Sequence, residues 1–355
     1  MKKIKLFIVD DSAIVRQTIS KLIDDENDIE LLGVAADPIF AMKKFQSVGI
    51  PDVLILDIEM PRMDGITFLK QIMSKNPIAT IICSSLAKSG SSKAIEALQA
   101  GAVELIEKPN LKTKIFLEQS KISLLHSIRA ASSSKITKIS KDISKDISNI
   151  SYDDKFIKLD KSITTPIGGQ KLIAIGSSTG GVQVIEEILT SLTTKTVPIL
   201  ITQHMPAGFT ASLAKRLDTI SNLTIKQAQD NDEIVSSTVY IAPGDKHMTI
   251  QRIGLKYIIQ IKDGPKVSHH RPSVDVLFRS FAREVGINGV GIILTGMGSD
   301  GSHGMKDMFD VGAKTYAQDE KSCVVYGMPN EAVKLGGVSH TLGIEKIIEL
   351  IQSIR

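Results

Sequence analysis

Five short apolar runs in the first 128 residues, IKLFIVD, IELLGVA, DVLILD, TIICSS and VELIEK, alternate with segments whose apolar residues recur at helical spacing. The helical segments fall around residues 12–24, 37–48, 65–74, 91–100 and 113–128. Repeated strand–helix units of this kind build a doubly wound parallel sheet with helices on both faces. The alternation resumes near residue 170. LIAIGSS, VPILITQH, TVYIAP and GVGIILTG have strand character, and helices are expected at 180–191, 208–217, 273–285, 302–311 and 343–354. The stretch from about 224 to 264 looks like an insertion of short β elements and turns. Two α/β domains are therefore expected, spanning 1–128 and 169–355, the second also doubly wound with a mostly parallel sheet.

Between them, residues 129–168 are rich in Ser, Lys and Asp and contain a short repeat, SKDISKDIS, which marks a flexible interdomain linker. Ile136, Ile139, Ile143, Ile147 and Ile150 would share one helical stripe, but the intervening Ser, Asp and Thr are poor helix formers. At 355 residues the chain has ample length for two cores. Its N-terminal apolar run stops at Asp10, too early for a signal segment or a membrane span. Cys83 and Cys323 lie far apart in apolar contexts and are expected to be buried, reduced thiols of a cytoplasmic protein. A net charge of +4, with lysine gathered toward the middle of the chain, gives little support for nucleic-acid binding.

In a parallel α/β sheet, ligands collect at the carboxyl ends of the strands. Asp10 and Asp11 end the first strand of the N-terminal domain and Asp57 ends the third. Three carboxylates gathered there repel unless a divalent cation holds them, and an oxygen donor set with open water positions suits Mg²⁺. Ser84 ends the fourth strand and Lys108 the fifth. A hydroxyl and an ammonium in those places can neutralise a phosphoryl group carried on a nucleophilic aspartate.

With its IVDDS, LDIEMPRMDG, CSS and EKP segments, the region up to about residue 125 closely resembles the receiver domain of two-component response regulators. The resemblance implies a flavodoxin-like (βα)5 fold, phosphorylation of Asp57, Mg²⁺ on Asp10, Asp11 and Asp57, and a switch pair of Ser84 and Lys108. It departs at Leu105, where many receivers carry an aromatic residue, so an aromatic rotamer switch is not expected.

The turn IGSSTGG, Ile175 to Gly181, could cradle a phosphate or present a nucleophile. A dinucleotide fingerprint needs glycine where Ser178 stands and an acid at the end of the next strand, where this chain has Gln203 and His204. Gly176-Ser177-Ser178-Thr179-Gly180 instead fits G-x-S-x-G at a strand-to-helix turn, which presents the serine at the sheet edge. His204 ends the next strand at that same edge, as a base should. Asp300, in the glycine-rich loop LTGMGSDG, could orient it or could instead cap the next helix. The chain order Ser, His, Asp differs from that of the α/β-hydrolases.

IGSSTGG, ITQHMP, YIAPGDKHM, HRPSVDVLF, LTGMGSDG and QDEKSCVVYGMPNEA together resemble the chemotaxis protein-glutamate methylesterases of the CheB type, across both domains in order. The resemblance implies hydrolysis of glutamate methyl esters, and deamidation of certain glutamines, on chemoreceptors. It implies a Ser178, His204, Asp300 triad, an oxyanion site at the backbone of Met297, and Thr179 shaping the site. No cofactor is implied for the esterase. A chemotaxis histidine kinase would be the phosphodonor, and the unphosphorylated receiver would cover the cleft. Nucleic acid and membrane insertion are not expected. A phospho-gated serine acylhydrolase or peptidase acting on another protein stays open, since a triad does not name its substrate. A receiver with a DNA-reading output would need a helix-turn-helix signal, which is missing. His269, His270 and Arg271 are expected in a solvated loop. His303 has no partners at metal spacing, and His126, His247 and His340 join no constellation.

Overall fold

The computed structural model describes residues 3–84, 88–109, 114–136, 170–193 and 195–354. The isoleucine stripe beyond Ile136 lies outside these residues. In the first domain, β1 (Ile4–Val9), β2 (Ile29–Ala35), β3 (Val53–Leu56), β4 (Ala79–Ser84) and β5 (Glu104–Glu107) form one parallel sheet in the order β2-β1-β3-β4-β5. Helices α1 (Ala13–Ile23), α2 (Pro38–Val48), α3 (Gly65–Lys75), α4 (Lys88–Gln99) and α5 (Lys114–Ser133) cover its faces. Every residue of β3 and β4 is buried, as expected for central parallel strands covered on both sides. Local chemistry sets the helix starts. Ser12, Asp37 and Asp64 each accept a backbone N–H from the first turn of α1, α2 and α3, and Pro38 opens α2.

The second domain holds β6 (Leu172–Ser177), α6 (Gly181–Ser191), β7 (Ile199–Gln203), α7 (Phe209–Ile220), β8 (Thr224–Gln227), β9 (Thr238–Ile241), β10 (His247–Ile253) and β11 (Lys256–Lys262). There follow α8 (Val274–Glu284), β12 (Gly289–Ile293), α9 (Ser302–Asp310), β13 (Lys314–Gln318), α10 (Met328–Lys334), β14 (His340–Leu342) and α11 (Ile344–Ser353). Seven strands pair in the order β14-β13-β12-β6-β7-β9-β8, and every pairing is parallel. The 224–264 stretch is thus not one insertion. β8 and β9 complete the central sheet, and only β10 and β11 stand apart as an antiparallel hairpin. Strand order reverses between β6 and β12, which opens a crevice at their carboxyl ends.

Helix α5 runs to Ser133, past residue 128, and carries the chain to the second domain. There the Lys135 N–H donates to the Val324 carbonyl at 3.0 Å. An apolar cluster crosses between the domains, with Leu98, Ala102 and Leu105 on one side and Val182, Met205 and Phe209 on the other. Leu105, without an aromatic ring, is buried in it. Cys83 and Cys323 are both free thiols in buried positions.

Candidate active site

Each candidate catalytic residue follows a strand at or next to the crevice. Ser178 comes directly after β6, His204 directly after β7, and Asp300 lies in the loop that leaves β12. The glycines of IGSSTGG serve close packing rather than a phosphate. Gly180 takes a left-handed φ of 76° to start α6, a conformation that L side chains resist. Ser178 is buried, and its N–H donates to the Thr295 carbonyl at 3.0 Å. In the β12 loop, a Cβ on Gly296 would stand 2.7 Å from Ser178 Cβ and 2.4 Å from Met328 Sδ. Only glycine lets the backbone leading into Met297 pass so close to the serine.

His204 Nε2 lies 2.7 Å from Asp300 Oδ2. Asp300 is almost wholly buried. Its Oδ1 accepts from the Ser273 hydroxyl (2.7 Å) and the Asp275 N–H (3.1 Å), and its Oδ2 from the Val274 N–H (2.8 Å). Burial alone would raise this carboxyl. The hydrogen bond and charge of His204, with the Ser273 and Val274 donors, outweigh it and hold Asp300 below the usual range. With Nε2 engaged by Asp300, His204 Nδ1 is the ring atom left over. It is buried and has no hydrogen-bond partner among the described residues. Ser178 and His204 line the same small cavity.

Three supporting residues escape a reading of the sequence alone. Gln203 donates to the carbonyls of both Ser178 and His204 at 3.0 Å, and accepts from Ser177 Oγ at 2.6 Å. One buried amide thus ties the serine turn to the histidine strand. His270 is no solvated loop residue. Its ring stacks on His204, with centroids 3.7 Å apart and planes within 8°. Burial, then the charge of His204, holds it far below the usual imidazole range. His126, from α5 of the first domain, meets the His270 ring edge-on at 5.6 Å. The segment HRPSVDVLF carried the only sequence signal for His270. Arg271 beside it is tied down by Asp245 and by the Gly264 carbonyl.

A second candidate centre lies at the carboxyl ends of β1, β3 and β5. Carboxylate oxygens of Asp10, Asp11 and Asp57 fall within 4.8 Å of one another. Asp10 and Asp57 are buried and Asp11 is exposed. Lys108 Nζ sits 3.0 Å from Asp10 Oδ2 and 2.7 Å from Asp57 Oδ2. Ser84 is buried at the end of β4, where its carbonyl accepts the Lys108 N–H at 3.0 Å. Burial pushes Asp57 up to about 6, with Lys108 opposing and the Asp10 charge adding to the rise. One ammonium facing three carboxylates leaves negative charge uncompensated. An all-oxygen donor set in that state fits a hard divalent cation such as Mg²⁺.

Residues 173–351 match the model of the family described as CheB methylesterase, and residues 6–118 match that of the response regulator receiver domain. The chain belongs to the CheB methylesterase family. It is 48% identical over 347 residues to protein-glutamate methylesterase/protein-glutamine glutaminase 3 of Geobacter metallireducens, covering 98% of each chain. It is 49% identical over 352 residues to the protein of the same description from Shewanella oneidensis, again over 98% of each. The solved CheB methylesterase catalytic domain of Thermotoga maritima is similar at 37% identity with a TM-score of 0.51, covering 53% of this chain and all of that one.

In this family member the receiver lies directly over the serine. The Gly180 N–H donates to the Val103 carbonyl at 3.1 Å, and Thr179 Oγ1 donates to Glu104 Oε2 at 2.7 Å. Gln183 Nε2 donates to the carbonyls of Leu98 and Ala102 at 2.7 and 2.8 Å. What remains between the domains at Ser178 is a cavity of about 10 Å³. Small-molecule sites run to about 300 Å³ or more, far above the volume of this cavity. No helix among the described residues is long and apolar enough to cross a membrane.

Proposed function

We propose that this chain is a cytoplasmic, phosphorylation-gated protein-glutamate methylesterase and protein-glutamine glutaminase, acting on chemoreceptors by a Ser178–His204–Asp300 mechanism. The carrying observation is the 2.7 Å His204–Asp300 contact at a strand-order reversal, with Ser178 on the same cavity. The receiver extends past residue 128 to the end of α5 at Ser133, the linker follows it to about 168, and 169–355 is the catalytic domain.

Ser178 Oγ attacks the ester carbon as His204 Nδ1 takes its proton. Asp300 stabilises the imidazolium through Nε2–H. The oxyanion is met by backbone amides of the β12 loop at Met297 and of the α6 start beside Thr179. His204 returns the proton to the departing methoxide oxygen, giving methanol, or to the departing amide nitrogen of a glutamine, giving ammonia. Water, deprotonated by His204, then releases the glutamate.

In the receiver, an Asp57 carboxylate oxygen attacks the phosphodonor, whose source is the chemotaxis histidine kinase. Asp10, Asp11 and Asp57 would hold Mg²⁺, which offsets phosphoryl charge when bound. Lys108 and Ser84 then meet the new phosphoryl oxygens. Lys108 gives up its place between Asp10 and Asp57, and it stands just past the strand that carries Glu104. That is the route by which phosphorylation would loosen the cover over Ser178.

The test is methanol release from methylated chemoreceptor membranes, for the unaltered chain and Ser178→Ala, with and without a small phosphodonor and Mg²⁺. Release should require Ser178 and rise with the phosphodonor. Phosphate accepted at Asp57 without any release would move the substrate elsewhere.

A further inference from the structure

The helix starts around Asp300 exchange their caps. Ser273 stands at the N-cap of α8, where a serine ordinarily turns its oxygen back onto an amide of its own first turn. Here its side chain makes no such bond. The carboxylate of Asp300, from another part of the chain, takes the amides of Val274 (2.8 Å) and Asp275 (3.1 Å) instead. The exchange runs both ways. Helix α9 starts at Gly301, directly after Asp300, with no cap of its own, and the Gly304 N–H of its first turn donates to Asp275 Oδ1 at 2.7 Å. Each helix is capped by an acid at the start of the other, so the position of Asp300 is fixed by two helices at once.

This leaves the Ser273 hydroxyl for another task. Ser273 is fully buried and donates to Asp300 Oδ1 at 2.7 Å. Asp300 Oδ2 meets His204 Nε2 and the Val274 N–H, so the two oxygens have separate partners. The carboxylate plane cannot turn about its Cβ–Cγ bond without losing bonds on both sides. Without the hydroxyl, Oδ1 would keep only the longer bond from the Asp275 N–H. Against the rise that burial alone would bring, His204 and then the Ser273 donor hold Asp300 below the usual carboxylate range. The same short segment carries His270, whose ring lies on that of His204. One stretch of chain therefore braces both the base and its carboxylate. We infer that Ser273 is a positioning residue for ester hydrolysis, which fixes the plane of Asp300 and limits how strongly that carboxylate holds the proton on His204. It acts only through Asp300, and the inference rests on the Ser178–His204–Asp300 mechanism proposed above.

The test follows methanol release against pH in the full chain activated by phosphodonor and Mg²⁺, with the phosphorylated fraction measured at each pH. It compares the unaltered chain with Ser273→Ala and Ser273→Thr. The acidic limb of kcat/KM reports protonation of the essential base in the free enzyme. A carboxylate that has lost a donor is a stronger base, so it holds the imidazolium more tightly while aiming it less well. In Ser273→Ala the limb should move up by about 0.5–1 pH unit. On the plateau kcat should fall by about tenfold, with KM nearly unchanged. Ser273→Thr keeps the hydroxyl and should keep the limb in place. A role in packing alone would lower stability or the plateau and leave the limb where it is.

A second readout needs no substrate. The proton resonance of His204 Nε2–H in the unphosphorylated chain should be displaced in Ser273→Ala and stay in place in Ser273→Thr. Should Ser273→Ala fail to fold, Ser273→Cys, a weaker donor, replaces it, with a smaller displacement of the limb in the same direction. A limb and a resonance that both stay in place in Ser273→Ala, or that move equally in Ser273→Thr, would overturn the proposal. If the unaltered chain cleaves no ester, the proposed mechanism fails instead, and the resonance still decides the part played by Ser273.

Discussion

Replacing Asp57 by asparagine should stabilise the receiver at pH 8 and change little at pH 4. Burial, with the neighbouring Asp10 charge, pushes the Asp57 carboxyl from 3.8 to about 6 against the pull of Lys108. A raised acid holds its proton more tightly folded than unfolded. Its stabilising contribution is therefore complete below about 3.8 and is lost as pH rises through about 6. At about 1.4 kcal/mol per pKa unit, carrying the ionised Asp57 costs the folded state up to about 3 kcal/mol at pH 8 in the absence of Mg²⁺. Asparagine removes that charge, keeps an oxygen for the Ile58 N–H that Asp57 Oδ1 accepts at 2.8 Å, and leaves Lys108 paired with Asp10. The assay is hydrogen exchange read by mass spectrometry on peptides from β1 and β3, which reports the opening free energy of the receiver core within the whole protein. The expected gain is about 2–3 kcal/mol at pH 8, shrinking to a few tenths at pH 4. Saturating Mg²⁺ should narrow the pH 8 gap, because it stabilises the ionised carboxylate only in the unaltered chain. A gain of equal size at both pH values, or none at pH 8, would refute the reasoning.

Other changes probe the esterase centre. Asp300→Asn, which leaves His204 without its carboxylate, should lower kcat by about 10⁴-fold, measured as methanol release under full activation. Gln203→Leu removes donors from the carbonyls of Ser178 and His204 and strands the Ser177 hydroxyl; a stability loss of about 2–4 kcal/mol with a fall in kcat is expected from denaturation and turnover. Gly296→Ala places a methyl 2.7 Å from Ser178 Cβ, and a nucleophile displaced by a fraction of an ångström should cost about 10²-fold in kcat with KM nearly unchanged.

The architecture was legible wherever a local pattern carried it. The largely apolar runs of β3 and β4, both wholly buried, and the strand-end acids of the receiver stand in the sequence where the structure uses them. Strand β13, KTYAQ, and the three-residue β14 escaped notice because their polar composition gives no run. Local pattern also could not say that β8 and β9 join the central sheet while β10 and β11 leave it. The proposed trio of Ser178, His204 and Asp300 could be picked out because a parallel sheet sends every strand end to one edge. Their supports could not. Gln203 matters through two backbone carbonyls that no motif encodes, His270 through a face-to-face stack formed by tertiary packing, and Glu104 through a contact with another domain.

If the receiver gates Ser178 as proposed, the apolar cluster that spans the two domains gives that gate a thermal character. Separating Leu98, Ala102 and Leu105 from Val182, Met205 and Phe209 hydrates hydrocarbon, so opening carries a positive heat-capacity change. The hydrophobic share of the closing force weakens on cooling, whereas the Thr179–Glu104 and Gln183 hydrogen bonds do not share that dependence. On the gating proposed above, the resting enzyme would therefore leak more, relative to its activated form, in the cold than in the warm. An organism that lives across a range of temperatures would inherit from this seam a basal demethylation rate tuned by the packing of six side chains.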